Sequence, residues 1–155
     1  VASTIELLLL AQTTQWQGAW TQYTPAWTSS GTAPAIGNGV RIGYYSKVGR
    51  IVTAKIFIQT GSTSTYGTGF YSFSLPFTAA VTGVSAGAFA HSGVISAQNN
   101  GGIFYTANAV VLQSTPTVVN GVLAANANFL GATTPVTFTG ANTQFQTTIT
   151  YESTS

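Results

Sequence analysis

Cysteine is missing from this sequence, and so is aspartate. Without cysteine there is no disulfide staple, thiolate nucleophile or redox pair. Charge is nearly missing too. Four residues are basic and two acidic, so 4% of the chain is charged, against about 25% in an ordinary domain. The acids are Glu6 and Glu152, the bases Arg41, Lys47, Arg50 and Lys55, and His91 is the only histidine. General acid–base groups, activated nucleophiles and metal ligands come from the residues in shortest supply. A Ser/His/Asp triad cannot be assembled without aspartate, and a zinc site would need several histidines. Glycoside hydrolysis needs two carboxylates about 5–10 Å apart, while Glu6 and Glu152 sit near opposite ends of the chain. No Gly-rich phosphate loop or nucleotide fingerprint is present. The composition predicts no enzyme, no cofactor and no metal, with His91 expected at a strand end bonding the backbone.

What is present is apolar and small. Hydrophobic residues make up 45% of the chain and aromatics 12%, which excludes disorder. Ser, Thr, Asn and Gly replace the missing charges. At 155 residues the chain is long enough for one domain with a sizeable core. A near-neutral surface is a poor recipe for a free monomer, so a permanent assembly is expected. Four bases fall short of the phosphate contacts that strong nucleic-acid binding requires, so nucleic acid is not expected as a partner. The apolar run from Ile5 to Ala11 is too short to span a bilayer, so membrane insertion is not expected either. A start at Val1 fits a Met-processed protein or a piece of a longer one.

Residues 3–14 read as a short helix. Ser3 caps it and Glu6, three residues on, completes a capping box. Leu7, Leu8, Leu9 and Leu10 make it apolar all round, and so short a helix needs packing to hold it. With Ile5 they are the candidate oligomerisation or docking residues, so that residues 1–15 form a helical segment and 16–155 a single β-sandwich domain. The alternatives are a helix lying on its own sheet and three copies bundled on an axis.

From Trp16 onward the pattern is β. Val52, Ala54, Ile56 and Ile58 alternate with Thr53, Lys55 and Phe57. Val40, Ile42 and Tyr44 alternate with Arg41, Gly43 and Tyr45, and Lys47-Val48-Gly49-Arg50 makes the turn between the two runs. Phe145, Thr147, Ile149 and Tyr151 share one face of a strand over 144–151. Further strands are expected at 20–27, 70–75, 84–90, 93–98, 103–106, 109–113 and 118–124. Asn38-Gly39, Asn100-Gly101 and Asn120-Gly121 read as turns, since both central residues of such turns need positive φ. About ten short strands imply an all-β antiparallel sandwich or jelly roll. The loop 62–69, with Tyr66 at its tip, and the neighbouring Phe70 are candidate ligand contacts, as are Lys47 and Arg50 on the basic hairpin. The plainer readings are an ordinary turn and a solvated face that blocks edge pairing.

The order of several short motifs resembles a β-domain of bacteriophage tail-fibre and minor tail proteins. They are Thr24-Pro25-Ala26-Trp27, Gly37-Asn38-Gly39 and the run Gly43-Tyr44-Tyr45-Ser46-Lys47-Val48-Gly49-Arg50-Ile51-Val52. Gly61-Ser62-Thr63-Ser64-Thr65, Gly67-Thr68-Gly69 and Phe73-Ser74-Leu75-Pro76 follow. Pro135-Val136-Thr137-Phe138 and Ile149-Thr150-Tyr151-Glu152 match that domain's close. Residues 80–130 carry none of the likeness. The resemblance implies a virion-surface structural protein, often trimeric and displayed outward, with no catalytic residues to transfer. The expectation is a homotrimer that attaches to a host surface, with host-cell glycan as candidate ligand and other tail or capsid proteins as partners. A short apolar helix in place of a long shaft keeps a capsid decoration (cement) protein or head fibre as the alternative, with a cellular lectin behind it.

Overall fold

The computed structural model describes residues 3–6, 19–85, 87–125 and 127–155. Its sheet strands are β1 (Thr21–Tyr23), β2 (Trp27–Ser29), β3 (Val40–Val48), β4 (Ile51–Gln59), β5 (Tyr71–Ser74), β6 (Phe89–Gln98), β7 (Phe104–Leu112), β8 (Val118–Val122) and β9 (Gln144–Glu152). Among the described residues they form one antiparallel sheet in the order β1-β3-β4-β9-β6-β7-β8-β5-β2. The fold class is therefore the all-β, antiparallel one the alternation predicts.

The sheet curls until its inner face packs against itself. The strands at its two ends, β1 and β2, follow one another in the chain with only Thr24-Pro25-Ala26 between them. Three residues reach about 10 Å at most, so the ends must be neighbours in space. Ser74 of β5 fastens this corner. Its hydroxyl accepts from Ala26 N at 2.7 Å, its own N donates to the Ala26 carbonyl at 3.0 Å, and its carbonyl accepts from the Tyr23 hydroxyl at 3.3 Å. The layers meet at Phe145 of β9, whose ring lies 5.7 Å from Trp27 of β2, 5.4 Å from Tyr71 and 5.8 Å from Phe73 of β5, and 5.2 Å from Phe138. These are edge-to-face or tilted pairs, the arrangement aromatic quadrupoles favour. Trp27 Nε1 is buried in this cluster and has no hydrogen-bond partner among the described residues.

The inward rows come from the alternating strands. Val52, Ala54, Ile56 and Ile58 of β4 are buried, and so are Phe145, Thr147, Ile149 and Tyr151 of β9. The turn between β3 and β4 falls at Gly49-Arg50, with Gly49 at φ +59°. Ser3 and Glu6 make both bonds of the capping box, Ser3 N to Glu6 Oε2 at 2.8 Å and Glu6 N to Ser3 Oγ at 3.2 Å. Residues 4–6 are helical. The expected continuation to residue 14, with Leu7, Leu8, Leu9 and Leu10, lies outside the described residues.

Several expectations are corrected. The run 20–27 holds two short strands, split because Pro25 cannot donate to a ladder. The runs 84–90 and 93–98 reduce to β6, which starts at Phe89 and absorbs a register shift between Phe89 and His91. The runs 103–106 and 109–113 are one strand, β7. Asn120-Gly121 is no turn but lies inside β8, where Asn120 pairs with Val110 and Ser72. The buried Asn120 amide donates to the Tyr71 carbonyl at 2.8 Å and Ser72 Oγ at 2.7 Å. Gly121 is there for space, since a Cβ would stand 2.9 Å from Leu130 and 3.0 Å from Ile95.

Candidate functional site

Two surfaces stand out. The first is the outer face of the five long strands β3-β4-β9-β6-β7. On β4 the apolar row must face the core, and the pairing register then fixes β3. Gly43 lies opposite Ile56 and Tyr45 opposite Ala54, while Ile42 lies opposite Phe57 and Tyr44 opposite Lys55. The inward side of β3 is thus Arg41, Gly43, Tyr45 and Lys47, and its more apolar side, Val40, Ile42, Tyr44 and Val48, points away from the core. Gly43 permits this, because a Cβ there would strike the ring of Tyr23, which covers the strand from inside.

The registers carry this face across the sheet in rows. One row runs Tyr44, Lys55, Thr148, Val94, Asn108, and the next Ile42, Phe57, Gln146, Ser96, Thr106. Val40, Gln59, Gln144, Gln98 and Phe104 make a third. Lys55 is the one charge in the three rows, and its Nζ sits 4.4 Å from the Trp20 ring. Glu152 lies at the margin, 3.2 Å from Arg50 Nη2. A shallow hollow of about 240 Å³ lies among Ile42, Tyr44, Lys55 and Phe57.

The second surface is a depression of about 380 Å³ lined by Gly69, Phe70, Asn128, Phe129, Gly131, Thr133 and Thr134. Phe70 is 41% exposed, and its ring rests on Phe129 at 4.9 Å with a tilt of 31°. The floor is backbone. Gly131 bridges Phe70, and a Cβ on it would collide with the Gly69 carbonyl.

The other candidate contacts are engaged within the chain. Tyr66 is not a loop tip. It is half-buried against the core, 6.0 Å from Trp27, and its hydroxyl bonds the Gly140 carbonyl and Thr60 Oγ1. The loop 62–69 is stitched to residues 32–38 by Ala35 N to Thr65 O (3.0 Å), Thr65 N to Ala35 O (2.8 Å), Thr68 N to Thr32 O (3.0 Å) and Thr63 N to Asn38 Oδ1 (3.0 Å). Lys47 Nζ lies 4.3 Å over the Phe77 ring. Arg50 holds Glu152 and donates from Nε to the Ser153 carbonyl at 3.0 Å. Lys47, Arg50 and Lys55 are therefore engaged with separate partners. Ile5 is 76% exposed.

His91 Nε2 lies 2.9 Å from the Ala80 carbonyl, which can only accept, so Nε2 carries the proton. Its ring packs 6.0 Å from Tyr151. Among the described residues no three His, Cys, Asp or Glu side chains gather into a metal-binding group, and no helix is long and apolar enough to cross a membrane. Phe129 is the site residue that sequence reading missed. It follows a stretch without clear periodicity, and only the fold brings it to Phe70. No family model, curated protein or solved structure matches the chain.

Proposed function

We propose that this protein is a non-enzymatic structural subunit of a bacteriophage particle, of tail-fibre type, which assembles as a homotrimer and attaches to the host surface. The observation that carries the reading is the orientation of β3, whose apolar row faces away from its own core. On this face Val40, Tyr44, Val48, Val94 and Phe104 are exposed among polar neighbours, and exposed apolar side chains grouped within a polar surround mark interaction surfaces. Five strands about 4.8 Å apart, each about 30 Å long, offer roughly 700 Å², close to the roughly 800 Å² per partner of a standard interface. Around a three-fold axis each copy presents this face to a different patch of its neighbour in a closed ring, and a face whose one cation stands over the Trp20 ring brings little like charge to that contact. The scarcity of general acids, bases and nucleophiles supports a role without chemistry. The ordered motifs shared with tail-fibre β-domains supply the phage and attachment parts of the reading.

The test is the mass of the native protein by light scattering, together with antibody-gold labelling of particles. Three copies of the 16.0 kDa chain are expected, with label at the tail end. A monomer at micromolar concentration overturns the assembly. Label spread over the head moves the protein to capsid decoration.

A further inference from the structure

We propose that the depression between Phe70 and Phe129 binds a neutral saccharide, one sugar ring lying against the aromatic pair. This inference rests on the attachment reading above and names the ligand class and the residues that take it.

Four observations converge. First, Phe70 is 41% exposed although the next residue, Tyr71, is fully buried. Burying a Phe side chain contributes about 1.5–3 kcal/mol, and the fold leaves much of that unrealised here. Second, the ring is braced rather than loose. Phe129 lies 4.9 Å from it. Phe70 N donates to Ser30 Oγ at 3.1 Å, and its carbonyl accepts from Ser30 N at 3.0 Å. The opposite wall is fixed by Gly131 N to Thr134 O at 3.0 Å and by Ala132 N to Gly69 O at 3.0 Å. A wall already rigid loses little entropy when a ligand settles on it.

Third, the volume of about 380 Å³ lies within the range of small-molecule sites, about 300–1,000 Å³. The floor stays bare because Gly69 and Gly131 approach too closely for a side chain between them. Fourth, the lining carries no charge but mixes two aromatic rings with the Thr133 and Thr134 hydroxyls. An anion would find no cation there. A purely apolar guest would strip water from the two hydroxyls without replacing their bonds. A neutral sugar presents what the lining asks for, a flat C–H face for the rings and hydroxyls for the polar rim. The lining residues lie in the segments just before β5 and after β8, outside the five strands of the face proposed to join the copies.

The experiment is saturation-transfer NMR on the wild-type protein with neutral hexoses, N-acetylhexosamines and their short oligomers, followed by titration of any binder. Phe70→Ala is expected to weaken binding at least tenfold and Phe70→Trp to retain it, both with wild-type circular dichroism. If Phe70→Ala does not fold, Phe70→Trp carries the test, and loss of all binding in that variant counts against the stacking geometry. Wild-type protein that binds none of the panel, binds only acidic sugars or captures only apolar peptides overturns the proposal. So does a Phe70→Ala variant with unchanged affinity. Native mass is measured on the same samples. A trimer without saccharide binding refutes this site and leaves the structural reading. A monomer that binds through Phe70 does the reverse.

Discussion

At Thr60 a single hydroxyl joins three segments of chain. It lies 2.9 Å from the Tyr66 hydroxyl, 3.2 Å from the Gly140 carbonyl and 3.3 Å from the Thr143 carbonyl, and it accepts from Thr143 N at 3.0 Å. The residue is 2% exposed, so water cannot replace these bonds. Thr60→Val keeps the shape but leaves the Thr143 N–H without this acceptor, and should destabilise by about 1–3 kcal/mol. Urea denaturation measures it, and a loss below about 0.5 kcal/mol would show that the network relaxes. Phe145→Ala removes the ring at the centre of the aromatic cluster and should lower stability by about 3–5 kcal/mol by the same measurement. A smaller loss would mean that the cluster collapses to fill the space. The sequence placed Tyr66 at a loop tip because Ser, Thr and Gly surround it. Nothing local announces that its partner is the Gly140 carbonyl, in a segment far along the chain.

At the scale of elements, β3 separates what alternation can tell from what it cannot. Val40, Ile42 and Tyr44 plainly share one side of a strand. Hydrophobicity alone would turn that side inward. Pairing with β4 decides otherwise, because the β4 row Val52, Ala54, Ile56 and Ile58 is buried and a paired residue must share its partner's face. Ile42→Glu together with Phe57→Glu therefore replaces two outward residues. It should give a monomer with unchanged far-ultraviolet circular dichroism. An unfolded product would show that these side chains serve the fold itself, and an intact trimer would place the contact elsewhere. Asn120-Gly121 makes the same point for turns. The dipeptide is the usual hairpin signal, yet here the amide closes a buried bond to β5 and the glycine makes room for Leu130 and Ile95.

For the whole molecule, closure of the sheet buries tyrosines that bear on stability at high pH. Burial raises Tyr23 and Tyr71 above the usual phenol range, with smaller contributions from the charges of Tyr151 and Tyr66 respectively. Burial also pushes Tyr151 up to about 12, against the lowering effect of its bond to the Phe77 backbone. An unfolded tyrosine ionises near pH 10. Above that pH the unfolded chain gives up protons that the folded chain keeps, so stability falls as pH rises. The melting temperature should therefore stay level up to about pH 9.5 and drop steeply between about pH 10 and 12. A melting temperature still level at pH 12 would mean that these phenols ionise in place. Acid has only two side-chain carboxylates to act on, Glu6 and Glu152.

The all-β class, the alternation of β4 and β9, the capping box at Ser3 and Glu6 and the scarcity of catalytic groups were all legible in the sequence. Each depends on residue identity or on neighbours a few positions apart. The tertiary structure decided which side of β3 faces out, that Tyr66 belongs to the core, that Arg50 and Lys47 have partners, and that Phe129 stands beside Phe70. The first depends on the register between β3 and β4, and the others on contacts between residues tens of positions apart, which local sequence does not encode and only the curled sheet brings together.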